Sequence, residues 1–245
     1  MKPNPGSGLR AVDVGRSFAG VLALRSVTIE LHRHEVVGLI GPNGAGKSTL
    51  VNILSGFDRP DHGHVELDGV DVTSWPALRR CRWRLARTFQ HGHSFAGLTV
   101  RENVEVSALG TGLRPAAARA RADRLLELLG LADVTAAVAS VLPHGQERRL
   151  GVARALASAP HYVLLDEPAA GLNEGEVPEF ADVIRAVRTD HDAGVLLIDH
   201  NVSLIMSVCD RIYVLDHGQV IATGDPGEIA RDPAVATAYL GTVHA

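Results

Sequence analysis

Two periods of apolar residues alternate along the chain. Val36-Val37-Gly38-Leu39-Ile40 is an unbroken apolar run of strand length, which predicts a strand buried on both faces. Tyr162-Val163-Leu164-Leu165 and Gly194-Val195-Leu196-Leu197-Ile198 have the same character. Residues 63–69 alternate between turn glycines and predict a half-buried strand, with further strands at 9–14 and 27–31. Residues 211–215 and 220–222 read as edge strands around the Asp216-His217-Gly218 turn. Helical patterns fall at 47–54, 116–129 (ended by Gly130), 147–157 (stopped before Pro160), 177–188 and 234–240. Continuous apolar strands separated by helices predict a parallel α/β sheet. Residues from about 91 to 158 hold no clear strand and read as a helical insertion.

Composition narrows this picture. The chain has 245 residues, 46% hydrophobic and 21% charged, which excludes wholesale disorder. Aromatics make up only 4%, so the core must rest on Ala, Val, Leu and Ile. A net charge of −4 gives no global basic balance, and no nucleic-acid partner is expected. Cys81 and Cys209 have no CxxC spacing, which fits neither a disulfide framework nor a zinc site and suits a reduced compartment. No apolar run approaches about 18 residues, so no transmembrane helix is expected. Residues 1–8 are polar and breaker-rich, read as a flexible tail and lack the apolar region of a secretory signal.

The chemistry begins at Gly41-Pro42-Asn43-Gly44-Ala45-Gly46-Lys47-Ser48, a full G-x-x-x-x-G-K-[ST] match between a buried strand and a helix. Glycines let the backbone wrap a phosphate, and the helix N-terminus adds a favourable dipole. Lys47 is expected at the β- and γ-phosphates of a nucleotide, with the Ser48 hydroxyl on Mg²⁺ and Thr49 beside it. A second element, Tyr162 to Pro168, is an apolar strand ending in the carboxylates Asp166 and Glu167. Ligands of open α/β sheets lie beyond the strand C-termini. Asp166 is therefore expected to face Mg²⁺, and Glu167 to polarise an attacking water.

In this order the motifs resemble those of the ATP-binding-cassette (ABC) ATPases, over roughly residues 9 to 241. Phe18 stands where the family's adenine-stacking aromatic does. Gln90, in Arg87-Thr88-Phe89-Gln90, resembles the Q-loop glutamine, a metal-site and catalytic residue. Leu142-Pro143-His144-Gly145-Gln146 resembles the signature motif, with Asp166 and Glu167 as the Walker B pair. Ala170-Gly171-Leu172-Asn173 resembles the D-loop, and His200, after Leu196-Leu197-Ile198-Asp199, the switch histidine. The finer likeness is to the branched-chain amino-acid importers, through Gly145-Gln146-Glu147-Arg148-Arg149-Leu150, Leu165 to Asn173, Asp210 to Leu215 and Ala238-Tyr239-Leu240-Gly241.

The resemblance implies one domain over 1–245. Its fold would be a RecA-like P-loop α/β core (about 9–90 and 159–245), a mostly parallel sheet with an antiparallel β subdomain and a helical insertion subdomain (about 91–158). It implies ATP and Mg²⁺ as ligands, with Ser48, Gln90 and Asp166 at the metal. A second cassette, as homodimer or heterodimer, would bring its His144, Gly145 and Gln146 to the nucleotide. Two membrane permeases, an external solute-binding protein and a peripheral place on the cytoplasmic face of the cell membrane are also implied. Pro143 stands where the wider family has serine, and Asn173 where it has aspartate. His144 stands where that family has glycine and the subfamily more often tyrosine, and it is expected to replace part of the missing donor. An exporter subunit, or an importer for amides or urea, is the alternative.

Overall fold

A computed structural model describes residues 8–88 and 94–240. Two sheets organise the fold. The smaller is antiparallel, in the order β2-β1-β4-β5, from β1 (Leu9–Phe18), β2 (Val21–Leu31), β4 (His62–Leu67) and β5 (Val70–Asp71). Ala19 and Gly20, both at positive φ, close the β1–β2 hairpin. Such a two-residue turn matches the right-handed twist of the strands. The larger sheet has the order β10-β9-β3-β8-β7-β6. It contains β3 (Val36–Ile40), β6 (Leu85–Arg87), β7 (Tyr162–Asp166), β8 (Gly194–Ile198), β9 (Arg211–Asp216) and β10 (Gln219–Gly224). All its pairings are parallel except that of β10 with β9.

Every residue of β3, β7 and β8 is buried, as their unbroken apolar runs require. The pleat divides those side chains between two cores. Val37, Leu39, Leu164 and Leu196 meet the inner face of the antiparallel sheet and helix α1 (Lys47–Ser55). Val36, Ile40, Val163, Leu165, Val195 and Leu197 face the opposite layer, which includes Phe180 and Ile184 of α6 (Glu176–Asp190).

The remaining helices are α2 (Ala77–Arg82), α3 (Val100–Leu109), α4 (Pro115–Leu128), α5 (His144–Ala157), α7 (Val202–Val208), α8 (Pro226–Arg231) and α9 (Pro233–Leu240). The segment from α3 to α5 is helical, as its pattern predicts, and packs on Val100, Val104, Ala118, Ala122, Leu126 and Leu150. A reciprocal Thr99–Glu102 capping box starts α3. Helix α5 begins three residues before the expected 147, because Pro143, at φ −57, serves as its N-cap. Strand β9 corrects an expectation: it lies inside the sheet between β3 and β10, with four of its six residues buried, and only β10 is at the edge. That position depends on pairing with β3, more than 170 residues away in sequence, which local pattern cannot reveal. No helix among the described residues is long and apolar enough to cross a membrane.

Candidate functional site

The P-loop leaves β3 and turns into α1. Gly41, Gly44 and Gly46 hold φ of +152°, +81° and +105°, a region that costs an L-residue strain. A Cβ at Gly41 would lie 2.0 Å from the Leu215 carbonyl oxygen, and one at Gly46 2.5 Å from that of Ala23. Gly46 is the N-cap of α1, with no side-chain hydrogen bond to the helix start. Lys47 is buried, and its Nζ donates to the carbonyls of Gly41 (2.6 Å) and Pro42 (2.9 Å). Burial lowers its pKa, opposed by the negative charges of Glu167 and Asp166. A cavity of about 210 Å³ opens here, lined by Ala23, Asn43 to Thr49, Glu167 and His200.

Asp166 ends β7 and is buried. Its Oδ2 accepts from Arg87 Nη2 at 3.0 Å, and its backbone N–H donates to Thr88 Oγ1 at 3.0 Å. Glu167 follows at φ +47°, in the left-handed region. Such a conformation costs a non-glycine residue about 1–3 kcal/mol. Main-chain contacts hold it: its N–H donates to the Ile198 carbonyl at 2.7 Å, and its own carbonyl accepts from Arg148 Nη1 at 2.8 Å and from the Ala170 N–H at 3.3 Å. The Glu167 side chain, one-fifth exposed, then lies with Oε1 3.1 Å from His200 Nε2. Buried Asp199 sets the loop that carries His200, accepting the N–H groups of Ala169 (3.0 Å) and Asn201 (2.8 Å). Burial raises the Asp199 pKa, and those hydrogen bonds oppose the rise.

One chain therefore gathers Asn43, Gly44, Gly46, Lys47, Ser48, Thr49, Glu167 and His200 around one cavity, with Asp166 behind them. Among the described residues, the signature residues and Phe18 do not line it. His144, Gly145 and Gln146 open α5 elsewhere. The His144 side chain is 94% exposed, with Nδ1 3.9 Å from Glu147 Oε2. Gly145 lies against Gly171 and Leu172. Phe18 is exposed at the β1–β2 hairpin, with the Arg16 guanidinium 4.6 Å from its ring centroid. Gln90 lies outside the described residues. Sequence reasoning missed Arg87, Thr88, Arg148 and Asp199, although all four flank motifs it had found.

A larger groove, about 670 Å³, runs between α2 and β6 on one side and α3 and α5 on the other. Leu78, Phe57, Arg82, Arg84, Arg87 and Arg154 contribute to its walls, and no Asp or Glu among the described residues does.

The glycine cradle, a helix start without a side-chain cap and a buried lysine suit the phosphates of a nucleotide. Comparison with known proteins agrees. The ABC transporter family model matches residues 24–170, and the model for the branched-chain amino acid ATP-binding cassette transporter matches residues 219–245. The high-affinity branched-chain amino acid transport ATP-binding protein LivG of Escherichia coli (strain K12) is 41% identical, over 91% of this chain and 94% of that protein. The lipopolysaccharide export system ATP-binding protein LptB of Acidithiobacillus ferridurans is 37% identical, over 95% and 96%. The crystal structure of the ADP conformation of MJ1267, an ATP-binding cassette of an ABC transporter, superposes with a TM-score of 0.83 at 28% identity, over 96% and 98%. The chain belongs to the ABC transporter family, as an ATP-binding and ATP-hydrolysing cassette.

Proposed function

We propose that this cassette powers an importer for branched-chain or related amino acids. It would work as one of two cassettes, in a homodimer or heterodimer, beneath two membrane permeases served by an external solute-binding protein. The match at residues 219–245 and the likeness to LivG support the solute class. A place on the cytoplasmic face of the membrane follows from that assembly. The core would comprise about 9–90 and 159–245, with about 91–158 as the helical subdomain. The groove between them, walled by apolar side chains and arginines, is the face proposed to receive a permease segment.

The observation that carries the catalytic reading is the 3.1 Å approach of Glu167 and His200 on the wall of the P-loop cavity. Lys47 exchanges its two carbonyl partners for phosphate oxygens. Glu167 takes a proton from the water that attacks the γ-phosphorus, as ADP leaves, and His200 orients that carboxylate. The residues present fit Mg²⁺ carried on the nucleotide: Ser48 and Asp166 offer hard oxygen donors, and Gln90 is proposed as a third. The ion supplies charge neutralisation at the phosphates. His144, Gly145 and Gln146, which do not line their own chain's cavity, are proposed to meet the nucleotide held by a second chain. Phe18 is proposed to stack on its adenine.

Glu167→Gln tests this reading. Shape is kept and the base is lost, so ATP binding persists and turnover falls about 10²–10⁴-fold. With ATP, the variant should elute as a dimer in gel filtration. Turnover near the wild-type value would remove Glu167 from the mechanism, and a monomer at all ATP concentrations would remove the two-chain site. The likeness to LptB favours a second reading, an exporter subunit. Solute uptake into proteoliposomes that requires an external binding protein selects import.

A further inference from the structure

The strongest unassigned feature is a guanidinium lodged between the two halves of the nucleotide site. Arg87 is the last residue of β6, which pairs in parallel with β7 in the register Arg87↔Leu164. Its side chain meets Asp166, two residues further along the neighbouring strand, through Nη2 at 3.0 Å. On its other flank Nη1 donates to Asn52 Oδ1 at 2.6 Å and Ser55 Oγ at 3.2 Å. Asn52 and Ser55 lie three residues apart on α1, the helix that begins at Lys47. One planar fork thus joins the carboxylate at the end of β7 to the P-loop helix. Both members of the ion pair keep only 10% of their side-chain surface exposed.

Surface tethering does not explain this arrangement. A pair so deeply withdrawn from water is favourable only when further hydrogen bonds hold both partners, and Asn52 and Ser55 provide them for Arg87. Thr88, the next residue, takes the backbone N–H of Asp166. Adjacent residues therefore fix both the main chain and the carboxylate of one acidic residue, and no hydrogen bond from another described residue engages the second oxygen. The reach to both α1 and Asp166 needs the arginine fork, since lysine offers a single point charge. A metal ligand is only as good as the contacts that aim it, and removing such outer contacts costs about 10–100-fold in metal affinity.

We propose that Arg87 is a positioning residue for the magnesium–nucleotide complex: it aims the Asp166 carboxylate and locks it in register with the P-loop helix. This rests on the ATPase reading above. A fluorescent ATP analogue titrated into the purified chain, in EDTA and at graded Mg²⁺, tests it. Arg87→Met should raise the Mg²⁺ concentration needed for tight binding about 10–100-fold, with affinity in EDTA within about twofold of wild type. Arg87→Lys should recover part of that loss. Asn52→Ala, which keeps the ion pair and removes one anchor, should raise the Mg²⁺ requirement by a smaller factor. A merely structural role would weaken binding equally with and without Mg²⁺, and that result overturns the proposal. So does an unchanged Mg²⁺ requirement in Arg87→Met. Should Arg87→Met fail to fold, Asn52→Ala decides alone, by the same criterion. A wild-type chain that binds no nucleotide would instead overturn the ATPase reading.

Discussion

Arg80 offers the sharpest quantitative test of the fold around the P-loop helix. Its side chain is fully buried. No carboxylate among the described residues forms a salt bridge with it; five backbone carbonyls surround it instead. Ile53 (2.6 Å), Leu54 (2.7 Å), Val72 (2.8 Å), Thr73 (3.1 Å) and Trp75 (3.2 Å) accept its N–H groups. The first two belong to the last turn of α1, where carbonyls run out of i+4 partners and the helix dipole is negative. Burial pulls the Arg80 pKa down to about 10. At about 1.4 kcal/mol per pH unit, that is a net cost of about 3–4 kcal/mol for keeping the charge there. Hydrogen bonds to a charged group contribute about 1.5–3 kcal/mol each, so even at the low end five of them exceed the cost by about 4 kcal/mol. Arg80→Ala should therefore destabilise the protein by about 4 kcal/mol, or about 8–16 °C in thermal midpoint for a chain this long. Arg80→Met fills the space without donors and should lose nearly as much. Thermal unfolding followed by circular dichroism compares the three proteins. If Arg80→Met melts within about 3 °C of wild type, the carbonyl contacts are not what holds α1, and the reasoning fails.

Two further outcomes follow from geometry described above. Gly46→Ala places a Cβ against the Ala23 carbonyl at a backbone φ of +105°; nucleotide affinity should fall at least tenfold in a binding titration, and wild-type affinity would contradict the cradle. His161 and His191 have pKa values held below the ordinary histidine range, chiefly by burial. Their unfolded forms thus bind protons first as pH falls, so their contribution to stability is complete above about pH 6.5 and is lost through the depressed folded values. Urea midpoints at pH 7.5 and 5.5 should differ less in His191→Gln than in wild type, and an unaltered difference would refute this for His191.

The legible parts of the sequence were contiguous. The P-loop carries its strand, glycines, lysine and helix in one unbroken stretch from Val36 to Ser55, and Asp166 and Glu167 announce themselves at the end of an apolar run. The contacts that support them did not. Arg80 sits in Arg79-Arg80-Cys81-Arg82, a run that resembles a solvated basic face, yet the third dimension turns it inward onto α1. Strand β6 has three residues, too few for any periodic signal, and its importance comes from pairing with β7 across more than seventy intervening residues. Arg87 therefore read as a neighbour of Gln90 rather than as the partner of Asp166. Strand β9 was legible as a strand and not as an interior one, for the same reason. His144 and its neighbours were legible only through the family's motif order, because they do not line the cavity that their own P-loop builds.

The left-handed backbone at Glu167 bears on how such a chain drifts. Glycine, or asparagine, suits φ +47° better than glutamate does. Mutation therefore has a downhill route at this codon, one that relaxes the main chain while deleting the carboxylate. Where transport is required, purifying selection must continually oppose that relaxation. Where the requirement lapses, the first cassettes to go silent need not be damaged ones: they can be better-folded proteins that persist and still occupy the place of a working subunit.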